Sequence, residues 1–305
     1  MKNYLVLLTI AALITTALPR SAQAAPEIYR HRKNPHTLDA VPAGSTGVVT
    51  PKIQYSGGAL ISTPNIYLIW YGNWNQSNGS DTPDGQQIVR DFSNGIGGSP
   101  YFLLNTTYST TAKTITGSVG FGGEAVDAYS KGTKLRDSDI LAIVNTALNG
   151  NKLPYDADGV YFILTSSDVR ELSGFCTQYC GWHTSGKATK GRVRYSFVGN
   201  SNRCLSSCAA QSVSPNNNPG VDGMISVIAH ELEEAATDPD PRSGWVDANG
   251  AENADKCAWT FGQSQGIAAN GSLYNMVLGS RQFLIQRNLK QSTSGDTCNI
   301  NATQQ

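Results

Sequence analysis

Two short, almost uninterrupted apolar runs constrain this chain most: Ile-Tyr-Leu-Ile-Trp-Tyr over 66–71 and Gly-Val-Tyr-Phe-Ile-Leu-Thr over 159–165. Runs of this length, rich in β-branched and aromatic residues, read as buried strands. Ile88, Val89, Phe92 and Ile96 then recur at helical spacing. A second helix is predicted over 137–148, opened by Asp137 or Ser138 and closed near Gly150. Further β-rich stretches lie at 114–121 and 192–198, and 273–276 with 282–286 suggest a late hairpin. Strands and helices alternate early and a hairpin closes the chain, which predicts a single domain of mixed α/β (α+β) class.

The third helix carries the chemistry. Ala229-His230-Glu231-Leu232-Glu233-Glu234-Ala235-Ala236-Thr237-Asp238-Pro239 sets a histidine, a glutamate and a further carboxylate into an apolar run. Met224, Ile225, Ile228, Leu232, Ala235 and Ala236 fall on one side, with His230 and Glu234 opposite them. Asp222 can cap its start and Pro239 ends it. Residues four apart stack on one helical face, so His230 and Glu234 can reach one ion while Glu231 projects from the neighbouring edge. The zinc-hydrolase pattern His-Glu-x-x-His uses that geometry, with its glutamate as general base. Here Glu234 replaces the second histidine, and a mixed sheet precedes the helix as in zincin-like folds. The alternative is a surface helix whose charges are simply solvated.

Residues 1–24 read as a secretory leader: Lys2 in the positive region, an apolar stretch to Leu18, and Ala22-Gln23-Ala24 before the cut. The apolar stretch is too short for a comfortable membrane span, and no later segment approaches one. Residues 25–55, with four prolines, read as an extended, poorly ordered arm, and 301–305 as a frayed tail. Residues 56–300 form the folded domain. The 23 basic and 23 acidic residues balance, and no basic stripe is visible, which argues against a nucleic-acid partner. All six cysteines lie in the second half: Cys176, Cys180, Cys204, Cys208, Cys257 and Cys298. An even count behind an export signal reads as three disulfides. Pairing within each Cys-x3-Cys, plus Cys257 with Cys298, is the simplest connectivity. A four-thiolate zinc site is the alternative.

A metal held by His230 and Glu234 needs a third ligand from outside the helix. Asp238, Asp247, Glu252 and Asp255 are available. A disulfide at Cys257 would fix the backbone beside Asp255, as a ligand position requires. Asp247-Ala-Asn-Gly reads instead as an ordinary solvated turn. His183, just after Cys180-Gly-Trp, could be an extra ligand or an oxyanion stabiliser, or be structural. His31 and His36 fall in the arm and are discounted. No Gly-x-Ser-x-Gly elbow, Walker loop or dinucleotide fingerprint is present.

An ordered set of motifs adds a resemblance. Phe175-Cys176 to Cys180-Gly-Trp-His183 comes first, then Tyr195-Ser-Phe-Val-Gly-Asn-Ser201 and Cys204 to Cys208. Gly220-Val-Asp-Gly-Met224, His230-Glu-Leu to Thr237-Asp-Pro239 and Asp255-Lys-Cys257 complete it. This string resembles the EXORDIUM, or phosphate-induced protein 1, family of secreted proteins, from about residue 45 to about residue 300. The resemblance implies an extracellular or cell-wall location and, in plants, an association with growth and cell expansion. Many plant members keep the Gly-Val-Asp-Gly-Met segment but lack the His-Glu pair that this sequence retains.

Two functions follow as expectations. In the first, a zinc-dependent peptidase or amidase uses His230, Glu234 and Asp255 or Glu252 as ligands. Glu231 is its base, His183 assists, and its substrate is an extracellular peptide or cell-wall component. In the second, a non-catalytic extracellular protein uses the acidic cluster as a structural ion site or hydrogen-bond network. A glycosidase with paired carboxylates is a third possibility.

Overall fold

The computed structural model describes residues 27–30, 51–262 and 265–303; the expected leader lies outside them. Six strands form one sheet: β1 Glu27–Arg30, β2 Asn65–Tyr71, β3 Gly120–Asp127, β4 Gly159–Thr165, β5 Tyr179–Ala188 and β6 Gly191–Gly199. Their order across the sheet is β1-β5-β6-β4-β2-β3. β2, β3, β4 and β6 run parallel, whereas β5 returns antiparallel between β6 and β1. This is the expected mixed α/β architecture. The β-rich stretch expected at 114–121 is displaced towards the C-terminus, and β5 forms around Cys180-Gly-Trp-His183, where the sequence pattern assigns no element.

The central strands are apolar because both faces of the sheet are covered. Helix α1 (Pro83–Gly95) and helix α3 (Pro219–Thr237) lie on one face and touch where Gly85 meets Val221. Helix α2 (Asp137–Asn149) covers the other. Gly181 of β5 faces Val227 of α3; Gly186, five residues on and on the opposite face, lies against Leu141 of α2. Every residue of β4 is buried, and Tyr161 stacks on its register partner Tyr67 with ring centroids 4.8 Å apart. The late hairpin forms from Met276–Leu278 and Arg281–Phe283, and Phe283 packs edge-on against Phe92 of α1.

Three expectations are corrected. The disulfides are Cys176–Cys204, Cys180–Cys208 and Cys257–Cys298. The first two cross between the Cys-x3-Cys pairs rather than closing within them. Cys204 caps the single helical turn Leu205–Cys208 and Cys208 ends it, so one pairs with Cys176 ahead of β5 and the other with Cys180 at its start. With all six sulfurs bonded, the four-thiolate alternative is gone. Second, parts of the arm and tail are anchored. β1 pairs with β5, Ile53 is buried, Gln54–Tyr55 pairs with Trp245–Val246, and Ala302 bonds to the Pro100 carbonyl.

Third, α3 is not a surface helix. Every residue from Gly220 to Thr237 is buried, including His230, Glu231, Glu233 and Glu234 at 0 % exposure. Its apolar side packs on the sheet, while its polar side is covered by the chain that returns after Pro239. The cap is Asn218, whose Oδ1 accepts from the Val221 N–H, with Pro219 at the first helical position. Asp222 sits in the first turn, held by the backbone and side chain of Asn216. Asp238 terminates the helix and accepts from the amides of Arg242, Ser243 and Gly244.

Candidate metal centre

Three elements converge on the buried polar side of α3. The helix supplies His230, Glu231 and Glu234. β5 supplies His183, which shares the face of Gly181 and therefore points at α3. Gly181 permits the approach, because a Cβ there would lie 2.5 Å from Val227 and 3.3 Å from Glu231 Oε1. The return segment supplies Glu252 and Asp255, held beside the helix by the Cys257–Cys298 disulfide.

Glu234 joins two overlapping groups. Candidate ligand atoms of His183, Glu231 and Glu234 lie within 4.8 Å of one another, as do those of His230, Glu234 and Asp255. In the second group His230 Nε2 is 2.9 Å from Glu234 Oε1 and 3.7 Å from Asp255 Oδ1. The Asp255 amide also donates to Glu234 Oε1, at 3.0 Å. Gln286 Nε2 bonds the Ala254 carbonyl and meets His230 Nδ1 at 2.8 Å. An amide so oriented donates to Nδ1 and leaves the proton on Nε2, facing Glu234. A second proton on that ring requires Gln286 to present its oxygen instead.

The first group is arranged the other way round. His183 Nε2 lies 3.3 Å from the Asp238 carbonyl, which can only accept, so that nitrogen carries a proton. Nδ1 then faces Glu231 Oε2 at 3.3 Å and Glu234 Oε2 at 3.5 Å. Glu252 Oε2 is 3.7 Å from Nε2. Glu231 Oε1 and Glu234 Oε2 are buried and accept no hydrogen bond. Two buried carboxylates aimed at one ring nitrogen demand positive charge between them. A proton on Nδ1 neutralises one of the two; a divalent ion neutralises both.

The protonation equilibria of the metal-free site reflect this crowding. Burial would push His183 down, but Glu231 and Glu234 hold it well above the ordinary histidine value. For His230 burial is likewise outweighed, chiefly by the charge of Glu234, and its value rises to about 9. Burial pushes Glu231 up to about 7 against the pull of His183 and His230. Glu234 resists burial and falls to about 2, because His230 and His183 both favour its anion.

The structure therefore brings together all six residues singled out as site candidates: His183, His230, Glu231, Glu234, Glu252 and Asp255. Glu231 does not stand off the ligand side as helical spacing suggests; it reaches His183. Asp247 lies outside the cluster, but it is a buried partner of Lys256 rather than a solvated turn residue. Asp238, expected as an available carboxylate ligand, orients His183 through its backbone carbonyl instead; Gln286, which meets His230, and Glu233, which is bonded by Asn288, have no sequence signal of their own. The donor set could hold a metal ion, and its imidazole nitrogens would suit a transition metal better than the all-oxygen preference of calcium and magnesium.

Residues 53–294 match the conserved region described as "Phosphate-induced protein 1 conserved region". The chain is 31% identical over 283 residues to Protein EXORDIUM-like 3 of Arabidopsis thaliana, covering 80% of this chain and 81% of that protein. Protein EXORDIUM-like 5 of the same plant is 30% identical over 284 residues, covering 80% and 76%. Protein PHOSPHATE-INDUCED 1 of Nicotiana tabacum is 31% identical over 225 residues, covering 61% and 65%. No solved structure matches the chain. By its motifs, by the extent of the conserved region and by these relatives, the chain belongs to the EXORDIUM, or phosphate-induced protein 1, family.

Proposed function

We propose that this is an extracellular EXORDIUM-family protein with a transition-metal centre, zinc by its ligand chemistry, where β5 meets α3. One observation carries the reading: Glu231 and Glu234, both buried, converge on His183 Nδ1 while Asp238 holds the proton on the far nitrogen. Once Nδ1 gives up its proton to an incoming ion, a ring lone pair and two carboxylate oxygens surround one point. His230 and Asp255 anchor Glu234 from behind and can complete the shell, and Glu252 stands next to His183. Export is supported by the leader expected over 1–24, by the disulfides, and by the finding that no described helix is long and apolar enough to cross a membrane.

Such an ion, when bound, would polarise a carbonyl and acidify water, which is the chemistry of a peptidase or amidase. In that use His183 and Glu234 would hold the ion, Glu231 would leave it to move the proton, and an extracellular peptide or cell-wall amide is the substrate. The second use is structural, and the complete burial of the cluster favours it: a closed ion site in a non-catalytic protein of the growing cell surface. A peptide-library screen of wild type, chelated protein and Glu231→Gln separates the two. Cleavage that falls at least ~100-fold in both the chelated protein and Glu231→Gln supports catalysis. Cleavage equal in all three refutes it, and no cleavage by loaded wild type leaves the structural use.

A further inference from the structure

A second site, away from α3, lies at the carboxyl ends of the parallel strands. A cavity of about 580 Å3 opens there between Ser167, which follows β4, and Asn202 and Arg203, which follow β6; Arg170, Glu171 and Phe175 form the opposite wall. That volume suits a small organic ligand, and the carboxyl edge of a parallel sheet is where α/β folds hold theirs. Cys176–Cys204 and Cys180–Cys208 tie the two walls together, so the cavity is built rather than incidental.

Its charge is unbalanced. Arg203 is fixed by donating Nη1 to the Ser167 carbonyl at 3.1 Å. Partial desolvation against the cavity wall and then the nearby charge of Arg170 disfavour its guanidinium. Lys134, the strand-register partner of Arg170, is a third cation beside that strand and outside the lining. Among the described residues neither Arg170 nor Arg203 forms an ion pair. Asp168, whose charge reaches Arg203, is already bonded by Ser166, Gln76 and Tyr129. Like charges gathered in a cleft without a partner favour an anion. The rest of the wall is suited to a sugar-like body: exposed Leu172 and the edge of Phe175 offer apolar surface, Asn202 an amide, and buried Glu171 an oxygen, Oε1, that accepts no hydrogen bond.

We propose that this cavity binds a small anionic saccharide, its phosphate or carboxylate held between Arg170 and Arg203 and its hydroxyls by Asn202 and Glu171. Calorimetric titration of the intact, disulfide-bonded protein with glucose 6-phosphate, glucuronate, inorganic phosphate and glucose tests it. Binding of at least one anionic sugar at millimolar concentration or below is expected, with glucose silent. The sugar phosphate and the uronate arms tell which anion is preferred. Arg170→Gln and Arg203→Gln should each weaken binding about tenfold to hundredfold, the usual range for a hydrogen bond to a charged group. Both side chains are exposed, and an unchanged melting temperature shows that the variants are folded. Arg203→Lys should restore part of the loss. No binding by either anionic sugar, or equal binding by both variants and wild type, overturns the proposal. Inorganic phosphate binding as tightly as glucose 6-phosphate overturns the saccharide body.

Discussion

Two buried polar clusters flank the same sheet, and they are built on opposite principles. At the carboxyl ends of the strands, Asp81 is fully buried and accepts from the Ser167 amide and hydroxyl, Asn200, Asn78 and Gln76. Asn200 is bonded in turn to Ser80, which donates to the α3 cap Asn218. Both carboxylate oxygens are satisfied by neutral donors, so the network locks α3 to the sheet and asks for nothing more. Around α3 two imidazoles face four carboxylates, and Glu231 and Glu234 each leave an oxygen unbonded. A satisfied charge reads as structure, whereas an unsatisfied pair aimed at one nitrogen reads as a site.

The contrast is broken most severely by Asp81→Ala. It strands several buried donors, and a loss of about 3–5 kcal/mol is expected in urea unfolding; a loss under about 1 kcal/mol would mean that the network is not a lock. Replacing Cys180 and Cys208 by alanine should cost about 3.5 kcal/mol, the loop-closure value for a bridge spanning 28 residues. It should also weaken metal retention, because that bridge anchors the start of β5. Retention unchanged in the variant would show that β5 holds His183 without it.

The pH dependence separates the loaded from the chelated protein. A carboxyl raised on folding contributes stability that is complete below the ordinary carboxylate range and lost as pH rises through its folded value. Glu231, raised to about 7, should therefore make chelated protein less stable between pH 5 and 8, by on the order of 1–3 kcal/mol. His230, raised to about 9, adds a loss of the same sign above the ordinary histidine value. Glu234, lowered to about 2, contributes fully throughout this window. Melting curves of loaded protein should be flatter over the same range. The smallest effect is expected from Glu231→Gln in chelated protein, within about 1 kcal/mol of wild type, because the swap removes a buried charge without changing shape. A loss as large as that of Asp81→Ala would place Glu231 among the locks.

How far the sequence reached follows the same division. The strands and helices of the apolar half are local patterns, so 66–71, 159–165 and the three helices are legible to within a few residues. The i, i+4 spacing of His230 and Glu234 is also local. The burial of their side of the helix is not: α3 looks amphipathic only until the segment after Pro239 folds over it. His183 gains its meaning from β5, a strand hidden among Cys, Gly and His residues that carry little β-propensity. The crossed disulfides depend on which loops the sheet brings together. Asp238 and Gln286 act through a carbonyl and an amide, groups with no motif.

The central claim, an ion between His183, Glu231 and Glu234, is tested most directly by elemental analysis. Purified, disulfide-bonded wild type and His183→Ala would be dialysed side by side in metal-free buffer. About one zinc-class ion per wild-type chain is expected, with a near-complete loss in His183→Ala, because removing one of so few donors opens the site. Metal-free wild type, or equal metal in both proteins, would contradict it.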